Sequence, residues 1–83
     1  MFSEKTDGML TVFPNPTASG NFTVEAAFDI ECVRIYSLTG ELIYQKENAG
    51  INETHISAAL AKGIYLVKVL GNNHEYLSRL IVY

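Results

Sequence analysis

The sequence predicts an all-β fold, an immunoglobulin-like antiparallel β-sandwich of about seven strands. Three observations support this prediction. Turn-forming residues recur about every ten positions along the chain, which is the spacing of short strands in a sandwich. The segments between these turns alternate apolar and polar side chains, or are rich in β-branched and aromatic residues. The one stretch with helical character is about six residues long, too short for an independent helix.

Seven segments are predicted as strands. In chain order they are Leu10–Phe13, Asn21–Ala26, Cys32–Ser37, Leu42–Lys46, Ile51–Ile56, Ile64–Leu70 and Glu75–Val82. Pro14-Asn15-Pro16 ends the first strand, because each proline fixes φ and biases the residue before it toward extended geometry. The second and third strands alternate apolar and polar residues, and we expect Asp29 and Glu31 in the loop that joins them.

The later strands are separated by turns that contain glycine. Gly40, expected at positive φ, belongs to the hairpin turn between the third and fourth strands. Asn48-Ala49-Gly50 separates the fourth strand from a weaker fifth. We expect residues 57–62 to form a connector with a single helical turn that ends at Gly63. The sixth strand has the strongest strand composition, and Gly71-Asn72-Asn73 turns it into the seventh.

Composition argues against several classes of function. The net charge is −3, and the six lysines and arginines are scattered, so no basic stripe suits nucleic acid. Cys32 is the lone cysteine, which excludes an intramolecular disulfide and a cysteine-rich metal site. We expect Cys32 to be a small buried hydrophobic residue. No apolar run approaches the roughly 18 residues of a membrane span.

Catalytic patterns are missing from the sequence. His55 and His74 have no Cys, Asp or Glu at a metal-ligand spacing, and we expect both to face solvent. Asp29 and Glu31 alone do not make a glycosidase pair. The serines lack a nucleophile elbow, and no glycine-rich loop opens a helix. The sequence therefore predicts a chain that is not an enzyme, with no cofactor, no metal and no small-molecule substrate.

Leu60-Ala61-Lys62-Gly63-Ile64-Tyr65 is the most informative local segment. A tyrosine that enters a late strand after an apolar residue and a glycine is typical of the tyrosine corner of Greek-key sandwiches. In that motif the ring is buried and the hydroxyl group bonds to backbone upstream. The alternative is that Tyr65 is an ordinary core residue.

Four blocks of sequence carry a family resemblance. They are Val12–Pro16 with Gly20–Val24, Val33–Ile43, Leu60–Val69, and Arg79–Val82. Taken in order over residues 10–83, they resemble the C-terminal sorting domain of the type IX secretion system (type A, Por secretion system). Ser37 stands where this family often has Asp or Asn. Arg79 is the one basic residue near the end, where the family commonly has an additional lysine.

The resemblance implies a function. Such domains end proteins exported by Bacteroidota, fold in the periplasm and are recognised by an outer-membrane translocon. A sortase-like peptidase then removes the domain, and the N-terminal cargo reaches the cell surface or is secreted. It implies a sorting domain over residues 10–83. The polar, irregular composition before it predicts that residues 1–9 are a linker or a remnant of excision from a longer chain. The positions matched for recognition or structure are Pro14, Asn15, Pro16, Gly40, Gly63, Tyr65 and Arg79.

Two questions stay open at this stage. A fibronectin-like extracellular binding module, or a spacer between domains, would predict sequence beyond Tyr83. A binding module would also place aromatic residues on loops, whereas here they lie mostly on predicted strands. The last strand carries Leu77 and Ile81 on one face, with Tyr76, Leu80 and Val82 on the other. It is therefore either a central buried strand or a terminal strand whose outer face is available to a receptor.

Overall fold

The structure is a computed structural model that describes residues 4–6, 10–18, 20–71 and 73–83. These residues form six strands and no helix. The strands are β1 (Glu4–Thr6), β2 (Leu10–Phe13), β3 (Asn21–Ser37), β4 (Leu42–Ser57), β5 (Gly63–Gly71) and β6 (His74–Val82). The predicted all-β class is confirmed. The described residues give six strands instead of about seven, and β1 lies inside the segment expected to be a linker, where it pairs with β2.

Antiparallel pairing joins all six strands into one hydrogen-bonded sheet of order β1-β2-β3-β5-β6, with β4 also paired to β3. Along one edge β3 follows β4 over nearly its whole length. Along the other edge it pairs first with β2 and then with β5. The two separate sheets of a sandwich are therefore not seen as separate hydrogen-bonded units. The sheet curls on itself instead, since β6 contacts β1 and β2 from the opposite end of the strand order.

The strand β3 joins two strands that the sequence analysis separated. Asp29 and Glu31, expected in a loop, are exposed residues within β3, because Phe28 and Ile30 continue the buried alternation between them. The pairing with β4 shifts register around Ile30 and Cys32. Such a bulge moves the inward positions from even to odd residue numbers, so that Val33 takes over from Ile30 in the core.

The strand β4 also runs through a predicted break. The Nδ2 of Asn48 donates hydrogen bonds to the carbonyl oxygens of Ile30 (3.1 Å) and Ile51 (3.2 Å), which satisfies backbone groups where the ladder is irregular. The predicted helical turn over residues 57–62 is wrong. The chain has no helix there, and Ala58 and Leu60 are buried in the core, so burial of apolar side chains outweighs a short helix with little intrinsic stability.

One hydrophobic core fills the curled sheet. Its buried members are Leu10, Val12, Phe22, Val24, Ala26, Phe28, Ile30, Val33, Ile35, Ile56, Ala58, Leu60, Val67, Val69, Leu80 and Val82. Cys32 is buried, as expected, with its Sγ 3.7 Å from the Oε2 of Glu47. Burial, followed by the Glu47 carboxylate, raises the pKa of the Cys32 thiol. His55 and His74 are both exposed, which confirms their predicted positions.

Candidate recognition site

Asn15 holds the last strand in place. Its side chain is almost fully buried, with 1% of its surface exposed. The Nδ2 donates to the carbonyl oxygen of Arg79 (2.5 Å), and the Oδ1 accepts from the amide of Ile81 (3.0 Å). The flanking peptide bonds Phe13–Pro14 and Asn15–Pro16 are both cis. The asparagine amide thus pairs with β6 in the way a peptide group of a neighbouring strand would.

Thr17 continues the contact with β6 toward the end of that strand. Its amide donates to the carbonyl oxygen of Ile81 (2.8 Å), and its carbonyl oxygen accepts from the amide of Tyr83 (3.0 Å). This forms a parallel bridge between Thr17 and Val82. The buried hydroxyl of Thr17 donates to the carbonyl oxygen of Asn21. The segment after β2 therefore covers the outer edge of β6 over its final residues. We call these bonds of Asn15 and Thr17 to β6 the clamp.

Gly40 lies in the hairpin turn between β3 and β4. Its φ is +95°, and a Cβ there would meet no atom within 4 Å, so backbone conformation alone favours glycine. The Gly40 amide donates to the carbonyl oxygen of Ser37 (3.0 Å). The hydroxyl of Ser37 accepts from the amide of Glu41 (3.2 Å) and lies 2.8 Å from the Oγ1 of Thr39. Ser37 therefore supplies the side-chain acceptor that an Asp or Asn would offer in such a turn.

Tyr65 has the hydrogen bond of a tyrosine corner. Its hydroxyl donates to the carbonyl oxygen of Ala61, four residues upstream, at 2.6 Å. The ring packs against the core but is half-buried, whereas the motif predicted a buried ring. Gly63, two residues earlier, begins β5, and a Cβ there would touch the edge of this ring at 3.9 Å. The bond and the ring together fix how the connector enters β5.

Arg79 lies on the face of β6 that is turned away from the core. Its neighbours Leu80 and Val82 are buried, whereas Arg79 is exposed and Leu77 keeps 52% of its surface exposed. In the strand order β6 is a terminal strand. Of the two alternatives for this strand, the structure therefore has the terminal strand with an exposed outer face.

The other strands beside β6 continue this surface, which we call the outer face. It comprises the side of β4, β3, β5 and β6 opposite the core. The Nζ of Lys68 lies 5.3 Å from the ring centre of Tyr36 and 3.5 Å from the Oε1 of Glu75. The Nε of Arg34 donates to the Oε1 of Gln45 (3.2 Å). A hydrogen bond with Tyr36 raises the pKa of Arg34. Lys68 of β5 therefore lies over the ring of Tyr36, and Arg34 of β3 interacts with the same tyrosine.

The structure brings the sequence blocks to one end of the sheet. Tyr65 of β5 pairs with Ser37 of β3 on one side and with Leu80 of β6 on the other. Gly63 pairs with Val82, the residue that Thr17 bridges. The predicted positions Asn15, Gly63, Tyr65 and Arg79 therefore meet around the end of β6, and the Gly40 turn closes the adjoining end of β3.

Sequence reasoning missed Thr17 and the role of the Ile81 backbone. Nothing in the sequence signals a parallel bridge across 65 positions between Thr17 and Val82. It also missed the outer face as a surface shared by four strands. A signal for that was present, because β5 carries apolar residues at both alternating positions, with Ile64 and Leu66 on one face and Val67 and Val69 on the other.

The described residues contain neither a metal centre nor a helical membrane span. Over 4–6, 10–18, 20–71 and 73–83, no group of three or more His, Cys, Asp and Glu side chains is placed to hold a metal ion. The same ranges contain no helix able to span a membrane. The arrangement consists of a clamped terminal strand, a rigid turn and an exposed face, which are features that a binding partner can recognise.

Comparison with known proteins agrees with this arrangement. A search among curated proteins gave no significant match. The family model described as "Secretion system C-terminal sorting domain" matches residues 11–83, which includes the clamp, the hairpin turn, the tyrosine corner and β6. That family consists of sorting signals and is not known for catalysis. The chain therefore belongs to the family of type IX secretion C-terminal sorting domains.

Proposed function

We propose that this chain is the export label of a larger protein, directing an N-terminal cargo across the outer membrane of a Bacteroidota cell. The cargo and its label pass through the periplasm, an outer-membrane translocon binds the label, and a sortase-like peptidase removes it. The cargo then stays on the surface or is released. The family match over residues 11–83 is the observation that carries this proposal. Export to the surface or the medium already follows from membership of the family.

Within the label, the matched residues have two kinds of role. Asn15 and Tyr65 act through the fold, because each anchors backbone at the end of β6 or β5 by hydrogen bonding. Gly40 and Gly63 act through the geometry of the turn and of the strand start. Arg79, exposed on the outer face, acts by contact with the translocon. Domain residues 10–83 carry the signal in this proposal, and β1 adds one pairing to it.

The test is a fusion of residues 1–83 to a periplasmic reporter in a host with the type IX system. We expect the reporter at the cell surface or in the medium. A reporter that stays in the periplasm, although the fusion is folded and intact, would contradict the proposal. A second fusion with residues 10–83 tests the proposed boundary, since it removes β1 and retains every matched position.

The Arg79→Ala variant distinguishes loss of contact with the translocon from loss of folding in the same export assay. We expect less export with a Tm close to that of the parent, because an exposed charge contributes under about 1 kcal/mol to stability. Arg79→Lys retains the charge and should recover part of the export. Glu53→Ala, at an exposed position of β4, is the control. Export of Arg79→Ala at the parental rate would remove Arg79 from the recognised surface and leave the assignment of the domain intact.

A further inference from the structure

We propose that the outer face is the docking surface for a protein of the export machinery whose own surface is apolar and bordered by carboxylates. This inference rests on the proposed function and adds to it the face that is recognised and the chemistry of the partner. The centre of the face, which we call the outer apolar patch, contains residues of all four strands. They are Tyr36, Leu42, Ile64, Leu66, Leu77 and Ile81.

The outer apolar patch is continuous and open. Leu42, Ile64 and Leu77 keep 48%, 45% and 52% of their surfaces exposed, and the other three members are half-buried. Strand register makes them neighbours, since Leu66 of β5 pairs with Tyr36 of β3 on one side and with Arg79 of β6 on the other. Exposed apolar residues that are scattered singly need no explanation, but a contiguous group on one face of a sheet marks an interaction surface.

The charges around the patch indicate what the partner carries. The chain has a net charge of −3, yet three of its basic residues, Arg34, Lys68 and Arg79, lie on the outer face, on neighbouring strands. Arginine and tyrosine are enriched at protein interfaces, and Arg34 and Tyr36 lie two residues apart on this face of β3. A partner with carboxylates around an apolar centre would complement this face and would be steered toward it.

A protein fits this face better than a lipid surface does. Glu47 and Glu75 lie at the end of the same face, next to Cys32 and Leu70 in the strand register. Anionic headgroups would be repelled by these two carboxylates, whereas a protein partner can place its own charges to avoid them. Four strands at about 4.8 Å spacing and six residues at about 3.3 Å rise give a footprint of roughly 400 Å² on this chain. Counted on both partners this is about 800 Å², which is in the range of small, weak and transient interfaces and suits a substrate that must be released.

Single changes on the patch test the proposal in the reporter fusion of residues 1–83. The variants are Ile64→Glu and Leu77→Glu, which place a negative charge where the partner is apolar, and Arg34→Glu beside Arg34→Gln. We expect export to fall about ten-fold for the first two, the effect of losing an interface anchor. Arg34→Glu should fall further than Arg34→Gln, because the proposed partner is acidic. Ile51→Glu is the control, since Ile51 is 55% exposed and lies on β4 outside the patch.

Further measurements distinguish a loss of partner binding from a loss of stability, from lipid binding and from failure of the proposed function. Each purified variant is melted, and where Ile64→Glu or Leu77→Glu lowers the Tm, the strand-compatible Ile64→Thr or Leu77→Thr replaces it. Patch variants that stay folded and are exported like Ile51→Glu would overturn the inference, while export of the parent fusion would still support the proposed function. Flotation with phosphatidylglycerol vesicles that depends on the patch would also overturn it in favour of a lipid surface. A parent fusion that is not exported contradicts the proposed function itself.

Discussion

Replacing Asn15 by alanine is expected to loosen the last strand from the rest of the domain. The asparagine side chain is buried and makes two hydrogen bonds to β6, one to the carbonyl oxygen of Arg79 and one from the amide of Ile81. Alanine removes both partners at once and leaves the two backbone groups without the side chain that satisfied them. The adjoining bonds of Thr17 remain possible, so the strand should be weakened without losing all its contacts on this edge.

The size of the effect follows from these two bonds. A buried donor or acceptor that loses its partner costs about 1–3 kcal/mol. Water can reach part of a strand edge, so the lower half of that range applies to each group, and the two together give about 2–4 kcal/mol. In a domain of 60–100 residues, 1 kcal/mol shifts the Tm by about 4–8 °C. The Asn15→Ala variant should therefore melt roughly 10–30 °C below the parent.

Thermal and urea unfolding followed by circular dichroism measure this change, with Asn52→Ala, at an exposed position of β4, as the matched control. An Asn15→Asp variant tests the same contact through the direction in which its stability changes with pH. Its second oxygen faces the Arg79 carbonyl oxygen and can form a hydrogen bond only when protonated, so folding raises the pKa of the new carboxyl group above its unfolded value of about 4. The stability of this variant should be greatest below about pH 4 and fall as pH rises through the raised pKa. An Asn15→Ala variant that melts within about 2 °C of Asn52→Ala would refute the clamp.

Three other predictions use features of the core and its border. Tyr65→Phe should lower the free energy of unfolding by about 0.5–1.5 kcal/mol, because the bond to Ala61 is exposed to solvent; an unchanged urea midpoint would show that the hydroxyl group contributes nothing. Gly71→Ala should cost about 1–3 kcal/mol, since the new Cβ would lie 2.5 Å from the carbonyl oxygen of Asp29; a Tm equal to that of the parent would show that this contact relaxes freely. Cys32 should react slowly with a thiol reagent at neutral pH and quickly in denaturant, because burial raises its pKa; equal rates in both conditions would contradict the buried position.

Local patterns predicted most strands of the sheet but not their continuity. Phe22 and Val24 are buried as the alternation indicates, and Glu25 is exposed. Thr23, on the face expected to be polar, is nevertheless buried, because β3 is flanked there by β2 and β4 and its hydroxyl lies 2.7 Å from the Nδ1 of His55. Charged residues near Asp29 suggested a loop, although the apolar alternation continued across them. Register shifts depend on pairing between distant segments, and a single strand's sequence does not contain that information.

The candidate site could be predicted from the sequence only where its contacts are local. The Ser37–Gly40 turn and the tyrosine corner are local motifs, so the residues alone predicted the positive φ of Gly40 and the bond made by Tyr65. Asn15 was selected from the sequence because it lies between two prolines, but its hydrogen-bond partners lie 64 and 66 residues away. The outer face depends on which four strands become neighbours, and only the topology determines that.

The clamp also ties the beginning of the domain to its end. Asn15 and Thr17 bond to backbone between Arg79 and Tyr83. These hydrogen bonds can therefore form only when residues 79–83 are close to the segment after β2. Contacts between such distant positions form late, because a long loop must close before they add stability. A chain still threading through a channel, or one cut short before residue 79, lacks these partners and leaves the end of β6 open. The completed surface around β6 is therefore presented only by a chain in which residues 79–83 have reached Asn15 and Thr17, so a partner that binds this surface selects the folded domain over the extended chain.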